Sequence, residues 1–410
     1  MSGLSIASYF PFTRVKVVAQ SVHDDGALIQ VRADLRWHPL CHNCRRPAWT
    51  VHSHGHRRLV RDLSMTDRQV WLQVDYRKVW CPACGKARVE HLSFCDPSQR
   101  LTHRLRRYIY ELCKLMPVAE VGRHLGLDPK TIKAVDLEFL QQEFGPTDYS
   151  GLRVLAIDEI AVKKGQHYMT VIMDYDTGRV VWSGPGHDKD TLDLFFGGMT
   201  VEQKAGIQAV AIDMWDPYIN RLQHHCPQAK IVFDLFHVVK GFSRVVDEVR
   251  REEVRKATGP MKPVIKGSRY LLLKNRDNLR PDQVSRLDEL LQLNATLSAV
   301  YQLKDQLKVI YQYKQRLPAK AALDQWCAMA TSINNCWMEQ FIKTLRRFEY
   351  GILNHCCFPI GTSRLEGVNN KIKVIKRKAY GFHDIAYFAL KIKQAFPGEA
   401  NEPQSTNFLG

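Results

Sequence analysis

The segment Leu152-Arg153-Val154-Leu155-Ala156-Ile157-Asp158 decides how the second half of this chain folds. A short apolar run of this kind is typical of a buried strand, and this one ends on a carboxylate. The same pattern returns in Ile207-Gln208-Ala209-Val210-Ala211-Ile212-Asp213. A carboxylate at the end of a buried strand is unfavourable unless it is paired or binds a metal ion. The two segments therefore predict neighbouring strands that carry Asp158 and Asp213 to one site.

The sequence around these two segments alternates between strand and helix patterns. Helices are expected at 191–198 and 215–225, and strands at 153–158, 167–174, 179–183, 207–213 and 229–234. Three strands, a helix, a strand, a helix and a strand is the order expected of a ribonuclease-H-like sheet. From about 240 to 355 the chain is charged and has helical periodicity, without a strand pattern. The order predicts an α/β core followed by a long helical segment.

A third acidic residue, Glu366, stands in Ser363-Arg364-Leu365-Glu366-Gly367-Val368-Asn369-Asn370, just before a dense basic helix. Helical spacing places it on one face with Lys373 and with Asn369 or Asn370. An ordinary solvated surface helix usually also carries acidic residues, but the segment 367–382 has none. We therefore expect salt-sensitive DNA contacts, largely independent of base sequence, from Asn370, Lys371, Lys373, Lys376, Arg377 and Lys378.

Asp158, Asp213 and Glu366 together indicate a site for phosphoryl transfer with two metal ions. Asp158 could bridge two Mg²⁺ ions, for which Mn²⁺ can substitute, while Asp213 would hold one ion and Glu366 the other. Any single Asp at a strand end is more often a cap or turn residue. Glu159 and Asp216 are alternatives for the first two positions, but strand alternation turns Glu159 to the face opposite Asp158.

The chain as a whole is basic, since 59 Lys and Arg against 42 Asp and Glu give a net charge of +17. Basicity alone fits both a nucleic-acid-binding protein and an unrelated basic protein, but the cluster Arg104-Leu105-Arg106-Arg107 and the basic helix favour DNA. The 11 cysteines and the lack of a signal peptide indicate a reducing bacterial cytoplasm, and no apolar run is long enough for a membrane span. Residues 397–410 are expected to form a disordered tail.

Two Cys-x-x-Cys pairs stand in the N-terminal part, Cys41 with Cys44 and Cys81 with Cys84. Two turns of this kind can present four thiolates to one structural Zn²⁺, and ordinary buried cysteines rarely fall into two such pairs. Strands expected within residues 14–35 and 67–80 make residues 1–98 a small β module. Other residues that could substitute as ligands, without being needed, are His42, His52, His54, His56 and His91, and Cys95 lies outside both pairs.

Residues 102–143 have helical periodicity and predict a helix–turn–helix. Gly126-Leu127-Asp128 forms the turn, with Asp128 as N-cap and Pro129 at the first helical position. Side chains expected to face DNA from the start of the recognition helix are Lys130, Thr131 and Lys133. The alternative is a plain helical linker, because helix–Gly–helix patterns are also common in protein cores.

Nearly the whole chain resembles the DDE-type insertion-sequence transposases of the ISL-three family. The resemblance rests on the four cysteines, on Arg61-Asp62-Leu63 between them, and on Ala-Ile-Asp-Glu at Asp158, Ala-Ile-Asp-Met at Asp213 and the Glu366 motif. Asp234-Leu235-Phe236-His237 resembles the Asp-x-x-His signature of several DDE groups, which implies supporting roles for Asp234 and His237. By the same resemblance the helical segment is an insertion that helps to hold DNA and to assemble dimers.

The expected protein is a multidomain α/β transposase whose ribonuclease-H-like core is interrupted by an α-helical insertion and preceded by a β zinc-ribbon-like module and a helix–turn–helix. It would bind the terminal inverted repeats of an insertion sequence as a dimer, cut the ends and join them to target DNA. A related nuclease without strand joining, and a zinc-containing DNA-binding regulator, are the alternatives. The expected domains are 1–98, 99–150, 151–239 continued in 356–396, and the insertion 240–355.

Overall fold

The computed structural model describes residues 10–24, 26–163, 167–361 and 363–398. The chain divides into two compact units, Met1–Gln142 and Glu143–Gly410. The expected tail lies outside the described residues from 399 onward. Asp25 in the turn of the first expected hairpin and residues 164–166 in the turn after the first core strand also lie outside them.

The first unit contains a five-stranded sheet. Its strands are β1 (Val15–His23), β2 (Gly26–Ala33), β3 (Thr50–Met65), β4 (Arg68–Cys81) and β5 (Lys86–Val89). The order is β1-β2-β4-β3, with β5 paired to β4. The strands expected within 14–35 and 67–80 are therefore present. The sequence did not predict the 16-residue β3. Its first part, residues 50–58, is polar apart from Val51 and Gly55 and so has no alternating apolar pattern.

Three helices complete the first unit, namely α1 (His103–Leu115), α2 (Val118–Leu125) and α3 (Pro129–Phe144). Gly126 ends α2 in the left-handed conformation with φ of 64°, where a side chain would be strained. The Asp128 carboxylate accepts a 2.6 Å hydrogen bond from the backbone N–H of Lys130. This is the turn geometry that the sequence predicts for a helix–turn–helix.

The second unit contains a five-stranded mixed sheet. Its elements are β6 (Val154–Lys163), β7 (His167–Asp174), β8 (Val180–Pro185), α4 (Lys189–Gly197), α5 (Val201–Ala205), β9 (Ala209–Ile212), α6 (Asp216–His225) and β10 (Lys230–Phe233). The order is β10-β9-β6-β7-β8. β6 is parallel to β9 and antiparallel to β7, so the strand that carries Asp158 lies at the centre.

A long helical segment follows β10 directly. Its helices are α7 (Leu235–Lys256), α8 (Met261–Lys266), α9 (Arg269–Leu273), α10 (Pro281–Leu293), α11 (Ala295–Ile310), α12 (Arg316–Thr331), α13 (Cys336–Arg347) and α14 (Glu349–Leu353), with 3-10 turns at Arg276–Asn278 and Asn354–Cys356. α7 therefore crosses the expected boundary between 239 and 240. Among the described helices, none is long and apolar enough to cross a membrane.

The chain returns to the sheet with α15 (Ser363–Lys378) and α16 (Ile385–Ala395). Along β6, Leu155 and Ile157 face the core shared with α4, α6 and α7. The alternate residues, Ala156 and Ile160, pack with Leu365 of α15. Because side chains alternate along a strand, Asp158 belongs to the α15 face of the sheet.

Candidate active site and metal centre

Neighbouring positions of β6 and β9 bring Asp158 and Asp213 together. The sequence predicted that the first strand ends at Asp158, but β6 continues to Lys163, so Asp158 lies in mid-strand, whereas Asp213 directly follows β9. In this parallel pair Ala156 lies beside Ala211, and each carboxylate stands two residues further along. Asp158 receives a 2.6 Å hydrogen bond from the Asn369 side-chain amide of α15. One of its oxygens also accepts a 2.8 Å hydrogen bond from the backbone N–H of Glu159. Two segments 211 positions apart, β6 and α15, therefore meet at this carboxylate.

The electrostatics of this position favour a cation. Burial, followed by the negative charge of Asp213, raises the pKa of Asp158 from its ordinary value near 3.8 to about 6. Burial, followed by Asp158 and then Asp213, raises the pKa of Glu159 to about 7. Carboxylates that repel one another in a desolvated place are stabilised in their charged forms by a positive ion.

His237, in the first turn of α7, forms an ion pair through Nδ1 with Oδ2 of Asp213. Burial alone would lower the pKa of His237, but the hydrogen bond and charge of Asp213 outweigh it and raise the pKa. The charge of Asp234, which stands buried at the N-terminus of the same helix, adds to this effect. The Asp-x-x-His segment therefore lies beside the candidate site.

Two buried oxygens at this site have no hydrogen-bond partner in the described part of the protein, Oδ1 of Asp213 and Oδ1 of Asn369. Buried polar atoms are nearly always satisfied, and carboxylate and amide oxygens are ligands that Mg²⁺ accepts. The donor set therefore fits a hard divalent cation, with the other oxygen of Asp213 held by His237 and the amide nitrogen of Asn369 held by Asp158.

Glu366 lies on α15 one turn before Asn369, and it is exposed. Among the described residues, the four cysteines form the one group of three or more His, Cys, Asp or Glu side chains whose ligand atoms lie within 4.8 Å of one another. The structure thus brings Asp158 and Asp213 together on one face of the sheet, but it does not gather all three carboxylates around one point.

The two alternative acidic residues have other partners. Glu159 shares a hydrogen bond with Tyr218 of α6, which also bonds to Thr170 at 2.7 Å. It therefore faces away from α15, as strand alternation predicts. Asp216 accepts a 2.7 Å hydrogen bond from Arg347. Because Glu159 and Asp216 have these other partners, Asp158 and Asp213 are the better placed pair for binding a metal ion.

The basic residues of α15 divide into two groups. The Lys376 ammonium donates to the carbonyl oxygens of Ala161 and Val162 at 3.2 and 3.0 Å, and Lys371 donates to that of Ala395 at 2.9 Å. Those two lysines hold α15 to its neighbours. The remaining predicted DNA-contacting residues of the helix are exposed, namely Asn370, Lys373, Arg377 and Lys378.

The four cysteine sulfurs form a compact cluster. Sγ of Cys41 lies 3.9 Å from that of Cys84, and Sγ of Cys44 lies 3.5 Å from that of Cys81. Four thiolates bound tetrahedrally at the usual Zn–S length would be separated by about 3.8 Å. Arg45 and Gly85, which follow the second cysteine of each pair, have φ of 59° and 63°, so the two turns are alike. The cluster therefore fits a structural zinc ion.

The helix–turn–helix presents Lys130 and Thr131 at the exposed start of α3, and Lys133 is half-buried one turn further on. The opposite face of α3 is fixed in the core of this unit by Ile132, Val135 and Leu140. Comparison with known families assigns this region. Residues 90–140 match the helix-turn-helix domain of transposase family ISL3.

The second unit gives the deciding match. Residues 155–392 match the DDE domain of the same ISL3 family, described as a transposase. This chain belongs to the ISL3 family of DDE transposases. These transposases are enzymes of DNA cleavage and strand transfer, and the family implies a divalent metal ion.

Two relatives extend the similarity over most of the transposase. The transposase for insertion sequence element IS1001 of Bordetella parapertussis is 41% identical over 364 residues, which cover 88% of this chain and 89% of the relative. The transposase for IS1557 of Mycobacterium tuberculosis is 28% identical over 425 residues, 93% of each chain.

The sequence did not single out two contacts within the matched domain. Asn369 was expected only on the face shared with Glu366, and its bond to Asp158 was not foreseen. Tyr218, the partner of Glu159, carried no sequence signal, since an aromatic residue in an amphipathic helix usually indicates a core position. The proximity of Asn369 to the Glu366 motif is the one signal that could have identified it.

Proposed function

We propose that this transposase binds the terminal inverted repeats of an insertion sequence, cuts the DNA at the ends of the element and joins these ends to target DNA. The observation that carries the proposal is the meeting of Asp158 in the central strand, Asp213 at the end of its neighbour and Asn369 of α15, with two unpartnered buried oxygens. The strand order supports a ribonuclease-H-like core for residues 151–239 and 356–396.

Asp158, Asp213 and Glu366 would hold two Mg²⁺ ions, or Mn²⁺ in their place. Bound there, the ions would supply charge stabilisation for an in-line displacement at phosphorus. Asn369 orients Asp158, and His237, with Asp234 behind it, orients Asp213. Glu366 would complete the ligand set from α15 when DNA and metal are bound. In the first reaction water is the nucleophile and exposes a 3′ hydroxyl, and in the second that hydroxyl attacks the target phosphodiester.

Regions outside the carboxylate site would bind the DNA or support its binding. We assign residues 99–150 to recognition of the repeats, with Lys130, Thr131 and Lys133 toward the duplex. The exposed side of α15 would hold phosphates near the metals through Asn370, Lys373, Arg377 and Lys378. The zinc module at 1–98 and the helical insertion at 240–355 would support DNA binding and pairing of two ends in a dimer.

The test is cleavage of a labelled duplex carrying the element's terminal repeat, with Mg²⁺, by wild type and by Asp158→Ala, Asp213→Ala and Glu366→Ala. We expect wild type to cut at the repeat, and the three variants to bind the duplex without cutting it. Asp176→Ala is the matched control because that exposed carboxylate, in the turn between β7 and β8, pairs with Arg153, and it should still cut.

A second assay with pre-cut ends and a circular target separates joining from cutting. Joined product formed by wild type supports transposition. Cutting without joining would point to a nuclease. Binding without either reaction, with paired ends supplied, would point to a regulator and would overturn the proposal.

A further inference from the structure

A cavity of about 640 Å³ opens between the starts of α4 and α6. Trp215, one of its lining residues, is two positions beyond Asp213, and its backbone N–H donates to the Asp213 carbonyl at 2.7 Å. The wall of this cavity is therefore continuous with the strand end that carries a candidate catalytic carboxylate. The volume is in the range of pockets that enclose small organic ligands, and it admits one nucleotide but not a duplex.

Two rings form one side of the cavity. His187 and Trp215 meet edge to face, with ring centres 5.4 Å apart and an angle of 74°. Each ring is supported from behind, since Trp215 stacks on Tyr218 at 5.9 Å and His187 packs on Tyr168 at 4.5 Å. Rings held in place in this way are ready to stack against a nucleobase, because every base has an aromatic face.

The polar side of the cavity favours an anion, although two carboxylates also line it. Asp188 caps α4 and accepts hydrogen bonds from the backbone N–H and the hydroxyl of Thr191 at 3.1 and 2.9 Å. Asp216 is paired with Arg347 at 2.7 Å. The charge of Asp216 is thus balanced by Arg347, and the carboxylate of Asp188 is fixed by hydrogen bonds at the start of α4.

The basic lining residues are Lys189, Arg221 and His224. Lys189 is exposed at the first position of α4, and Arg221 forms an ion pair with Asp193 at 3.5 Å. A phosphate group entering the cavity would therefore find the exposed ammonium of Lys189 first.

We propose that this cavity holds one unpaired nucleotide of the DNA strand next to the cleaved phosphate. The base lies against Trp215 and His187, and its phosphate lies near Lys189 and Arg221. The inference rests on the proposed function, because the position of Asp213 is what places the cavity beside the cut. A base bound there must leave the duplex stack, so the site favours DNA that is locally single-stranded.

Binding of single strands tests the proposal without requiring cleavage. The probes are a fluorescein-labelled single strand of five thymidines and a labelled random-sequence duplex, each titrated with the full chain in EDTA and followed by anisotropy. Trp215→Ala should weaken binding of the single strand by roughly 5- to 100-fold, the usual effect of losing one stacking platform, with little change for the duplex. Trp215→Phe should retain most of the affinity.

Two further variants complete the test. One removes the proposed phosphate contact without a folding defect, and the other controls for the loss of an exposed side chain outside the cavity. Lys189→Ala, at an exposed position, should weaken single-strand binding and leave the unfolding temperature unchanged. Leu194→Ala removes an apolar side chain that is 66% exposed on α4 and outside the cavity lining, and it should change neither affinity. Equal single-strand affinities for wild type and Trp215→Ala, or an equal loss for single strand and duplex, would overturn the proposal.

2-Aminopurine placed at single positions around the cleavage site of end DNA then locates the bound nucleotide. With Ca²⁺ in place of Mg²⁺, one position should change its fluorescence with wild type and not with Trp215→Ala. If wild type cuts end DNA while no position responds and Trp215→Ala cuts equally well, the pocket is refuted and the proposed function stands. If end DNA is never cut, the proposed function fails, and the thymidine experiment still decides about the pocket.

Discussion

The side-chain amide of Asn369 donates a 2.6 Å hydrogen bond to Oδ2 of Asp158, a residue 211 positions earlier in the chain. Asn369 is 4% exposed, and its side-chain oxygen Oδ1 has no hydrogen-bond partner in the described part of the structure. One end of this side chain thus orients a carboxylate, and the other end is available to a ligand. Asn369 joins the last core helices to the central strand at the point where the chemistry is proposed.

Asn369→Ala should reduce cleavage by about 10- to 100-fold, the usual loss when a group that orients a metal ligand is removed. The loss should appear mainly as a higher Mg²⁺ concentration for half-maximal cleavage, because Asp158 would no longer be held in one orientation. DNA affinity in EDTA should change little. Measurement of cleavage rate against Mg²⁺ concentration checks this.

Val374→Ala, an exposed position on the same helix, is the control for a general effect on α15. It should match wild type in both measurements. A wild-type Mg²⁺ dependence in Asn369→Ala would show that the hydrogen bond has no role in metal binding.

The raised pKa of Asp158, about 6 in the folded protein, predicts a pH-dependent stability. Between pH 4 and 6 the folded state binds more protons than the unfolded state, so the free energy of unfolding falls as pH rises through this window. Asp158→Asn removes the effect. Without metal, the variant should match wild type near pH 4 and be more stable by about 3 kcal/mol near pH 7.

Urea unfolding in EDTA at several pH values measures this difference. Asn278→Ala, at an exposed position in the helical segment that carries no titrating side chain, should show no pH-dependent gain. A constant difference between Asp158→Asn and wild type from pH 4 to 7 would contradict a raised pKa for this carboxyl group.

The cysteine cluster predicts one zinc ion per chain. Cys44→Ser should abolish stoichiometric zinc and destabilise the first unit, because binding of a structural zinc ion contributes to folding, typically by ~10 kcal/mol or more. Elemental analysis and proteolysis measure these two effects. Cys336→Ser is the control, since this exposed cysteine belongs to the second unit, and a purified wild-type protein with well under one zinc per chain would refute the prediction.

The basic residues of α15 that are exposed and the lysine that is bonded to the backbone of β6 should affect DNA binding differently. Lys373→Ala and Arg377→Ala should each reduce the slope of log affinity against log salt by about 0.9, as expected for one lost phosphate contact. Lys376→Ala should leave this slope unchanged and lower the unfolding temperature, because its ammonium is bonded to the backbone of β6. Salt titrations with a labelled duplex make the comparison, and an equal change of slope in all three variants would contradict the division.

The strands of the second unit could be predicted closely from the sequence, except that β6 continues past Asp158 to Lys163. Apolar runs that end in Asp158 and Asp213 carry their signal locally, because burial on both faces of a central strand requires continuous apolar side chains. The β3 strand was missed for the opposite reason. Its first half carries His52, His54 and His56, and it is held by register with β4 rather than by apolar side chains of its own.

Contacts within the site were less predictable than its strands. Helical spacing placed Asn369 near Glu366, but it could not indicate which side chain of that face would reach Asp158. That choice depends on how Leu365, Val368 and Ile372 pack α15 against the sheet, a property of tertiary structure. The hydrogen bonds from the Lys376 ammonium to the backbone of β6 could not be predicted for the same reason, since they join residues more than 200 positions apart.

The separation of Asp158 and Asn369 along the sequence also sets when the site can form during protein synthesis. At the usual 5–20 residues per second, a ribosome needs about 10 to 40 s to reach Asn369 after it has incorporated Asp158. Throughout that interval the growing chain already has its N-terminal helix–turn–helix but lacks the helix that completes the proposed cutting centre. By this proposal a nascent chain would bind DNA before it could cut it, and an incomplete translation product would bind without cutting.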